Sequence, residues 1–457
     1  MTERVKSTRR VPDIAAVAVG PTNVTSFLRV LSASCGYGEQ VRPSKTSPVQ
    51  LARTVMARAA VLAVAVPMTV ATGLVIADAI RKRRVTDPSR FPRSAPAEGR
   101  IGETETTIFT YGDDLYREML AAIRGARRRI MLETYIWKGD ELGQEFKDAL
   151  IEASGRGVEV FVIYDGFANL VVHREFLTFP SPIHVIRYPV FRPGVLVLNV
   201  RKSGRDHRKI LVVDDEIGFV GGYNIGSMYA TQWRDTHIRL EGPSAWELRN
   251  AFVDFWNSNR KSDQPPLEDP GSRLWLPELR AARNAPAHLV FPIRGIYLDA
   301  IDRASDHIYI TQAYFIPDRE ILDALLMAAQ RGVDVRVLVP ERSNHVVADW
   351  LSRGLYTTLL RGGVTIWLYK DAMVHAKTAT IDGRWTTIGT ANIDRLSLTG
   401  NYEVNLEIVD AGIASQMEKV FEVDLSNCRE LTLTEWSSRS IAAKLGEVAL
   451  TPLRPLL

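Results

Sequence analysis

The amino-acid sequence predicts an α/β protein made of two similar domains that follow one N-terminal membrane helix. Apolar, strand-like runs alternate with helical patterns, which is typical of mixed α/β domains. The alternation occurs twice, and chemically similar residues recur at a constant spacing in both copies. A run without charged residues, from Ala59 to Ala77, precedes both copies and predicts the helix.

The composition is that of a folded protein with a weak preference for anionic partners. At 457 residues the chain exceeds the usual size of one core, and 46% hydrophobic with 24% charged residues exclude a largely disordered chain. A net charge of +4 fits phosphate or an acidic lipid surface, and is smaller than expected for a dedicated nucleic-acid-binding protein. Cys35 and Cys428 alone form neither a disulfide framework nor a zinc site, which is compatible with a reducing compartment.

The N-terminal part is expected to hold a membrane anchor. Residues 1–50 lack periodicity and are expected to be poorly ordered, whereas residues 51–84 contain the run from Ala59 to Ala77, which has about the length of a bilayer crossing. A buried helix or a cleaved signal peptide are the alternatives. The basic cluster at residues 81–84 disfavours export and predicts that the following domains face the cytosol.

Two α/β domains follow the anchor. A linker at residues 85–100 leads to the first copy, residues 101–261, and a proline-rich linker at residues 262–287 leads to the second, residues 288–457. The expected strands are 130–137, 158–164, 308–315 and 333–339, and the expected helices are 114–123, 142–153 and 319–330.

The two copies align without a gap over their polar residues. Each pair is separated by the same 168 positions (375 − 207). The pairs are His207 with His375, Lys209 with Lys377, Asp214 with Asp382, Gly221 with Gly389, Asn224 with Asn392, and Asp235 with Glu403. One His in a strand is usually a packed core residue, and one Asn after Gly is usually part of a turn. Recurrence of the whole set at unchanged spacing, while intervening residues differ, favours a shared chemical role.

These residue types suit a phosphodiester. In an extended chain His207 and Lys209 project to one face, as do His375 and Lys377, so two facing copies would offer two bases and two cations. One imidazole could attack phosphorus while the other moves the leaving group's proton, and the lysines with amide donors could hold the phosphate oxygens without a metal. A carboxylate would orient each ring, and Asp235 and Glu403 are the candidates.

The motifs resemble the paired signatures of the phospholipase D superfamily. The resemblance rests on His207, Lys209 and Asp214 followed by Gly221, Gly222 and Asn224, and on His375, Lys377 and Asp382 followed by Gly389, Thr390 and Asn392. Within that superfamily, the anchor and the stretch at residues 311–318 are most similar to bacterial cardiolipin synthases. The resemblance implies two α-β-α sandwich domains with the active site at their pseudo-twofold interface.

The resemblance also implies roles for the residues. His207 would be the nucleophile that forms a phosphohistidine, and His375 the general acid and base. Asn224, Asn392, Gly222 and Thr390 would support the phosphate site, Asp235 and Glu403 would orient the rings, and Asp214 and Asp382, although part of the motif, would be structural.

The expected function is phosphatidyl transfer from phosphatidylglycerol to the hydroxyl of a second phospholipid, with release of glycerol. A hydrolase of a lipid or, less favoured, a nucleic acid is the first alternative, and an inactive membrane scaffold is the second. The expected location is the bacterial inner membrane, with the membrane and anionic phospholipids as partners. No cofactor or metal is expected, because His237, His307 and His345 occur singly.

Overall fold

The computed structural model describes residues 48–82, 90–192, 204–269, 271 and 276–456. The expectation of poor order for residues 1–50 therefore falls almost entirely outside the described residues. Leu62–Leu457 form one compact unit, so both predicted copies belong to a single body, and Met1–Val61 form a separate unit. Helix α1 spans Pro48–Lys82 and contains Pro67.

The first copy is built around a mixed sheet of eight strands. Its strands are β1 (Ala97–Ile101), β2 (Thr104–Phe109), β3 (Arg129–Thr134), β4 (Glu159–Asp165), β5 (Ile183–Tyr188), β6 (Ile210–Val213), β7 (Ile217–Gly221) and, after the short strand β8 (Trp233–Arg234), β9 (His237–Glu241). Its helices are α2 (Gly112–Gly125), α3 (Glu141–Gly155), α4 (Ser227–Thr231) and α5 (Ala245–Asn259). The strand order is β1-β2-β9-β7-β6-β3-β4-β5.

The second copy repeats this architecture. Its strands are β10 (Leu279–Asn284), β11 (His307–Gln312), β12 (Asp334–Pro340), β13 (Thr365–Tyr369), β14 (Met373–Val374), β15 (Lys377–Ile381), β16 (Trp385–Gly389), β17 (Glu403–Val409) and β18 (Cys428–Glu430). Its helices are α6 (Pro292–Arg303), α7 (Arg319–Gln330), α8 (Val346–Arg361), α9 (Arg395–Thr399), α10 (Ala411–Leu425), α11 (Leu433–Ser437) and α12 (Ile441–Leu450), with 3-10 turns at Pro286–His288 and Thr451–Leu456. The sheet order is β10-β17-β16-β15-β11-β12-β13-β18.

The α/β class expected from the sequence is confirmed as two mixed eight-stranded sheets. Seven strands correspond in order, and each sheet adds one edge strand of its own, β1 in the first and β18 in the second. The helices form for local reasons that also repeat. Asp140 and Asp318 cap α3 and α7 by accepting the N–H of Gly143 and Ile321, three residues on. Apolar residues at helical spacing bury one stripe of each helix against its sheet.

The expected element limits hold within a few residues, with one informative exception. The strands predicted to reach residues 137 and 315 end at Thr134 and Gln312. The next residues leave the sheet because their backbone bonds elsewhere: the N–H of Ile136 donates to the side chain of Asn224, and Ile316 N–H donates to the carbonyl of Ile393. Both copies therefore turn the chain towards the polar motif at the same point.

Two strands occur where the sequence predicted linkers. β1 begins within the stretch 85–100, ends at Ile101 and forms a hairpin with β2. β10 lies within the stretch 262–287 and pairs with β17. Neither strand was expected, because each has charged residues on the face away from the core, such as Glu98 and Arg280, and the prolines nearby suggested a linker.

The two copies share a core. One apolar cluster combines residues of the first sheet and α5, such as Val212 and Phe252, with residues of the second sheet and α10, such as Leu406 and Met417. A small sheet also crosses between the copies, because β14 runs parallel to β8. The polar motifs lie where the two copies meet.

The predicted anchor falls in α1, many of whose side chains lie outside the described residues. Over the described part, Val70, Ala71 and Leu74 pack against an apolar cluster inside the second copy, while Val75, Ile76 and Ile80 are exposed. Within the part of the chain that the structure describes, no helix is both long enough and apolar enough to cross a membrane.

Candidate active site

Each histidine is held by the backbone of the other copy. His207 and Lys209 lie in an extended segment just before β6, and His375 lies between β14 and β15. The N–H of His207 donates to the carbonyl of Tyr402 at 3.0 Å, and that of His375 donates to the carbonyl of Arg234 at 2.6 Å. Tyr402 and Arg234 are themselves 168 positions apart, so the two contacts obey the pseudo-twofold relation of the copies.

The ring-orienting acids also come from the opposite copy. Nδ1 of His207 lies 3.0 Å from Oε2 of Glu403, and Nδ1 of His375 lies 2.6 Å from Oδ2 of Asp235. The sequence indicated the acids but not which ring each would contact. With Nδ1 occupied by a carboxylate, Nε2 is the nitrogen left for chemistry on each ring.

The lysines are buried beside their own histidines. Lys209 Nζ donates to the carbonyl of His207 at 2.7 Å. Lys377 Nζ donates to the carbonyl of His375 and lies 2.9 Å from its Nδ1. Burial lowers the pKa of Lys209 to about 8 and that of Lys377 to about 7. The two ammonium groups are therefore poised between charged and neutral near physiological pH.

Burial and the neighbouring lysines also lower the pKa of both imidazole rings. Burial, reinforced by Lys209 and Lys377, lowers the pKa of His207 well below its usual value. The same causes, with Lys377 the larger charge, lower the pKa of His375 to about 3. Both imidazoles are neutral at pH 7 in this structure, so Nε2 carries a free lone pair on any ring whose Nδ1 holds the proton.

The two acids differ in charge although they correspond in sequence. Burial raises the pKa of Glu403 to about 8, against the opposing effect of Lys209. Burial also disfavours ionisation of Asp235, but Lys377 and His375 outweigh it and lower the pKa of Asp235. His375 therefore faces a carboxylate, whereas His207 faces a group that is largely protonated at pH 7.

The predicted support residues surround the acids. Thr390 Oγ1 donates to Glu403 Oε2 at 2.5 Å. At the corresponding position of the first copy, a Cβ on Gly222 would lie 2.1 Å from Oδ1 of Asp235, so only glycine leaves room for that carboxylate. The side chain of Asn224 accepts the N–H of Ile136 at 3.1 Å, whereas Oδ1 of Asn392 is buried without a hydrogen-bond partner among the described residues.

The motif aspartates lie away from the other motif residues. Asp214 and Asp382 follow the ends of β6 and β15, about 16 Å along an extended chain from the lysines. Each adopts a left-handed backbone conformation, with φ of 54° and 53°. The Asp214 carboxylate accepts the N–H groups of residues 127–129, and the Asp382 carboxylate accepts those of residues 305–307. Both carboxylates therefore hold turns, in keeping with the structural role that the resemblance implies for these two motif residues.

A charged cluster behind His207 was not expected. Arg208 donates to Glu133 and lies 3.5 Å from Asp206, and all three side chains are buried. Burial, together with the charge of Glu133, raises the pKa of Asp206 well above its usual value. The sequence did carry a signal, since Asp206 and Arg208 flank His207, whereas Val374 and Ala376 flank His375.

A second buried ion pair joins the copies. Arg234 donates from Nε and Nη2 to the two carboxylate oxygens of Asp424, at 2.8 and 2.7 Å. Arg234 is also the residue whose carbonyl accepts from His375. The bidentate pair therefore fixes the strand that holds His375, and neither residue had a recognisable motif.

Among the described residues, no group of three or more His, Cys, Asp and Glu side chains is placed to hold a metal ion. His237 is buried and accepts the N–H of Tyr223 at 3.3 Å, and His307 contacts Asp306 and Glu418.

Comparisons with known proteins agree with this architecture. A family model described as "Cardiolipin synthase, PLD-like domain" matches residues 119–256 and 297–425, one segment in each copy. The major cardiolipin synthase ClsA of Bacillus subtilis (strain 168) is 32% identical over 375 residues, which cover 78% of this chain and 76% of that protein. Cardiolipin synthase 1 of Bacillus cereus is 34% identical over 373 residues, covering 78% and 73%.

A solved structure shows the fold independently. Phosphatidylserine synthase of Haemophilus influenzae Rd KW20 superposes with a TM-score of 0.61 at 16% identity, covering 77% of this chain and 93% of that one. Two facing copies with paired His and Lys residues define an enzyme of the phospholipase D superfamily. Within that class, the chain belongs to the cardiolipin synthase family.

Proposed function

We propose that the protein transfers a phosphatidyl group from phosphatidylglycerol to the hydroxyl of a second phospholipid, forming cardiolipin and releasing glycerol. The observation that carries the proposal is the pair of imidazoles, each bonded through Nδ1 to a carboxyl group of the other copy and each beside a buried lysine. The relatives' names supply the lipid class.

In the first half of the proposed reaction, Nε2 of His207 attacks the phosphorus of phosphatidylglycerol. The P–O bond to the glycerol headgroup breaks, and the departing oxygen takes a proton from Nε2 of His375, so the products are a phosphohistidine and free glycerol. The negative phosphodiester raises the pKa of His375 when it binds, and the ionised Asp235 stabilises the resulting imidazolium.

In the second half, His375 takes the proton of the acceptor's hydroxyl. The acceptor oxygen attacks phosphorus, and the P–N bond to His207 breaks, which restores neutral His207 and the protonated His375 with which the first half began. Lys209, Lys377, Asn224 and Asn392 hold the non-bridging oxygens, where preorganised donors stabilise the charge of the pentacoordinate state. Glu403, through Oε2, keeps the Nδ1 proton of His207 and so presents the lone pair of Nε2.

The membrane supplies the lipid, and we place the anchor in α1. Support comes from the uncharged run Ala59 to Ala77 and from the exposed apolar side chains of Val75, Ile76 and Ile80 in the described part. The basic residues 81–84 then orient the catalytic body towards the cytosol of a bacterial cell.

A direct assay separates transfer from hydrolysis. The full chain is reconstituted in vesicles that contain phosphatidylglycerol labelled in the glycerol headgroup and the acyl chains. Cardiolipin together with free labelled glycerol is the expected outcome, and phosphatidic acid as the sole lipid product would establish the hydrolase instead. The exposed His288→Asn is the matched control, and it should behave as the wild type.

The same assay tests the inactive scaffold. His207→Asn and His375→Asn should each abolish cardiolipin formation while the protein remains folded, because each removes one of the two rings. A wild-type chain that yields neither cardiolipin nor phosphatidic acid, and so behaves like these variants, would favour the scaffold.

A further inference from the structure

The second copy contains a cavity of about 570 Å³ outside the histidine pair. Helix α8 forms one wall, the end of β12 and the following residues form the floor, and α11 with the residues after it forms the opposite wall. Arg81, at the end of α1, also lines it. The cavity therefore lies between the end of α1 and the residues that follow α11.

The cavity is rich in guanidinium groups. Five arginines line it, against the three carboxyl side chains of Glu341, Asp349 and Glu435; the arginines are Arg81, Arg342, Arg353, Arg429 and Arg439. Guanidinium groups bind phosphate oxygens with matched geometry. The lining therefore favours an anion.

Two of these arginines are not neutralised within the described residues. Arg429 bonds Glu341 and Glu435 at 2.8 and 2.7 Å. Arg81 and Arg439 form ion pairs with carboxylates just outside the lining. By contrast, among the residues that the structure describes, neither Arg342 nor Arg353 has a carboxylate within ion-pair distance. Arg353 donates to the carbonyl of Glu341 at 3.3 Å and lies over the ring of Trp350, 6.0 Å from its centroid.

Apolar surface adjoins the cavity on both sides. Ile76 and Ile80 are about half exposed on α1, immediately before Arg81. On α12, which begins two residues after Arg439, the side chains of Ile441, Leu445 and Val448 are 64–76% exposed, and their spacing places them on one helical face. A ligand that is anionic at one end and apolar at the other matches this arrangement.

The cavity also shares a wall with the histidine pair. Tyr314 lines the cavity, its ring lies edge-on to that of His375 with centroids 6.3 Å apart, and its hydroxyl donates to Oδ1 of Asn344 at 2.5 Å. A ligand in the cavity would therefore lie one side chain away from the reaction centre.

We propose that this cavity binds the phosphodiester headgroup of an anionic phospholipid, at a site separate from the histidine pair. Arg342 and Arg353 bind the phosphate oxygens, and the acyl chains lie on the exposed apolar faces of α1 and α12. The site goes beyond the proposed function, because it retains a lipid that is not undergoing the reaction, and its test does not require turnover.

The experiment counts bound lipids. The full chain carries His207→Asn and His375→Asn to prevent turnover, and native mass spectrometry in detergent measures phosphatidylglycerol bound per chain. Adding Arg342→Gln and Arg353→Gln should remove one bound lipid at concentrations that saturate the parent, since each arginine is worth about fivefold in affinity for an anionic headgroup. The charge-matched control adds Arg319→Gln and Arg361→Gln, which are exposed and outside the cavity, and should equal the parent.

Three results would overturn the proposal. One is an unchanged lipid count in the cavity variant, and another is an equal loss in the control, which would reflect surface charge alone. The third is displacement of one lipid from the parent by inorganic phosphate, which would identify a free-phosphate site. Thermal unfolding shows whether the double variant folds. If it does not, Arg342→Gln alone is used, because this side chain is exposed. The single variant should weaken the same binding step about fivefold.

Discussion

The two sides of the catalytic cleft are alike where they face the substrate and different behind it. Each histidine has a buried lysine of its own copy beside it and an acid of the opposite copy at its Nδ1. Behind His207, however, Glu133, Asp206 and Arg208 form a buried charged cluster, whereas the corresponding residues behind His375 are Thr311, Val374 and Ala376. The aromatic contacts differ as well, with Tyr135 against His207 and Trp233 against His375.

The difference shows that repetition of a motif does not make two histidines equivalent. A carboxylate at Asp235 favours a proton on His375, whereas a largely protonated Glu403 leaves His207 neutral. His207 is also the more accessible ring, with 14% of its side chain exposed against 7% for His375. These features support His207 as the nucleophile and His375 as the acid and base.

The largest expected effects come from the histidines. His207→Asn should lower kcat by about 10⁶-fold, because no phosphohistidine can form, and His375→Asn by about 10²- to 10⁴-fold, the usual range for loss of a general acid. A p-nitrophenyl phosphodiester, whose leaving group needs no proton, should give a burst of nitrophenol with His375→Asn but not with His207→Asn. The opposite pattern would exchange the two roles.

The next effect concerns the charged cluster. Arg208→Met leaves Glu133 buried without its cation and should lower the free energy of unfolding by about 3–5 kcal/mol, as measured by denaturant titration in detergent. Combining it with Glu133→Leu and Asp206→Val makes the region behind His207 apolar, like the region behind His375. The triple variant should regain most of the lost free energy of unfolding. The exposed Arg187→Met is the control, expected within about 0.5 kcal/mol of wild type. A triple variant as unstable as Arg208→Met would contradict this account.

Substitutions of the two ring-orienting acids should lower kcat by less than those of the histidines, and by different amounts. Asp235→Asn removes a charge and should lower kcat about 100-fold, whereas Glu403→Gln imitates a protonated acid, keeps the acceptor oxygen and should cost less than about tenfold at pH 7. Initial rates of cardiolipin formation measure both. Equal losses would show that the two acids carry the same charge in the working enzyme.

The smallest expected effect is the change of KM for phosphatidylglycerol with pH. An ammonium group is charged below its pKa, so the cationic site is complete below pH 7 and is lost as pH rises through the pKa values of Lys377 (about 7) and Lys209 (about 8). KM for phosphatidylglycerol should therefore rise about tenfold between pH 7 and 9 while kcat changes less. In Lys209→Met only Lys377 titrates, and in Lys377→Met only Lys209, so the midpoint of the rise in KM with pH should lie lower for Lys209→Met. Identical midpoints would show that the lysines do not titrate separately.

Much of the fold and of the motif was predictable, because both depend on local sequence. Strands β4, β11 and β12 and helix α7 follow from hydrophobic period, and the constant offset between copies reveals His207 and His375. What the sequence did not show depends on contacts between distant segments. The exchange of Asp235 and Glu403 between copies, and the pairing of Arg234 with Asp424, arise only when the copies face each other.

The exchanged acids have a consequence for synthesis of the chain. Of the four residues in the two ring–acid pairs, Glu403 is translated last, and it begins β17, an inner strand of the second sheet. A nascent chain that has completed only its first copy holds His207 without its acid and Asp235 without its ring. The ribosome must therefore release most of the second copy before both ring–acid pairs can form, so an unfinished chain lacks the complete site.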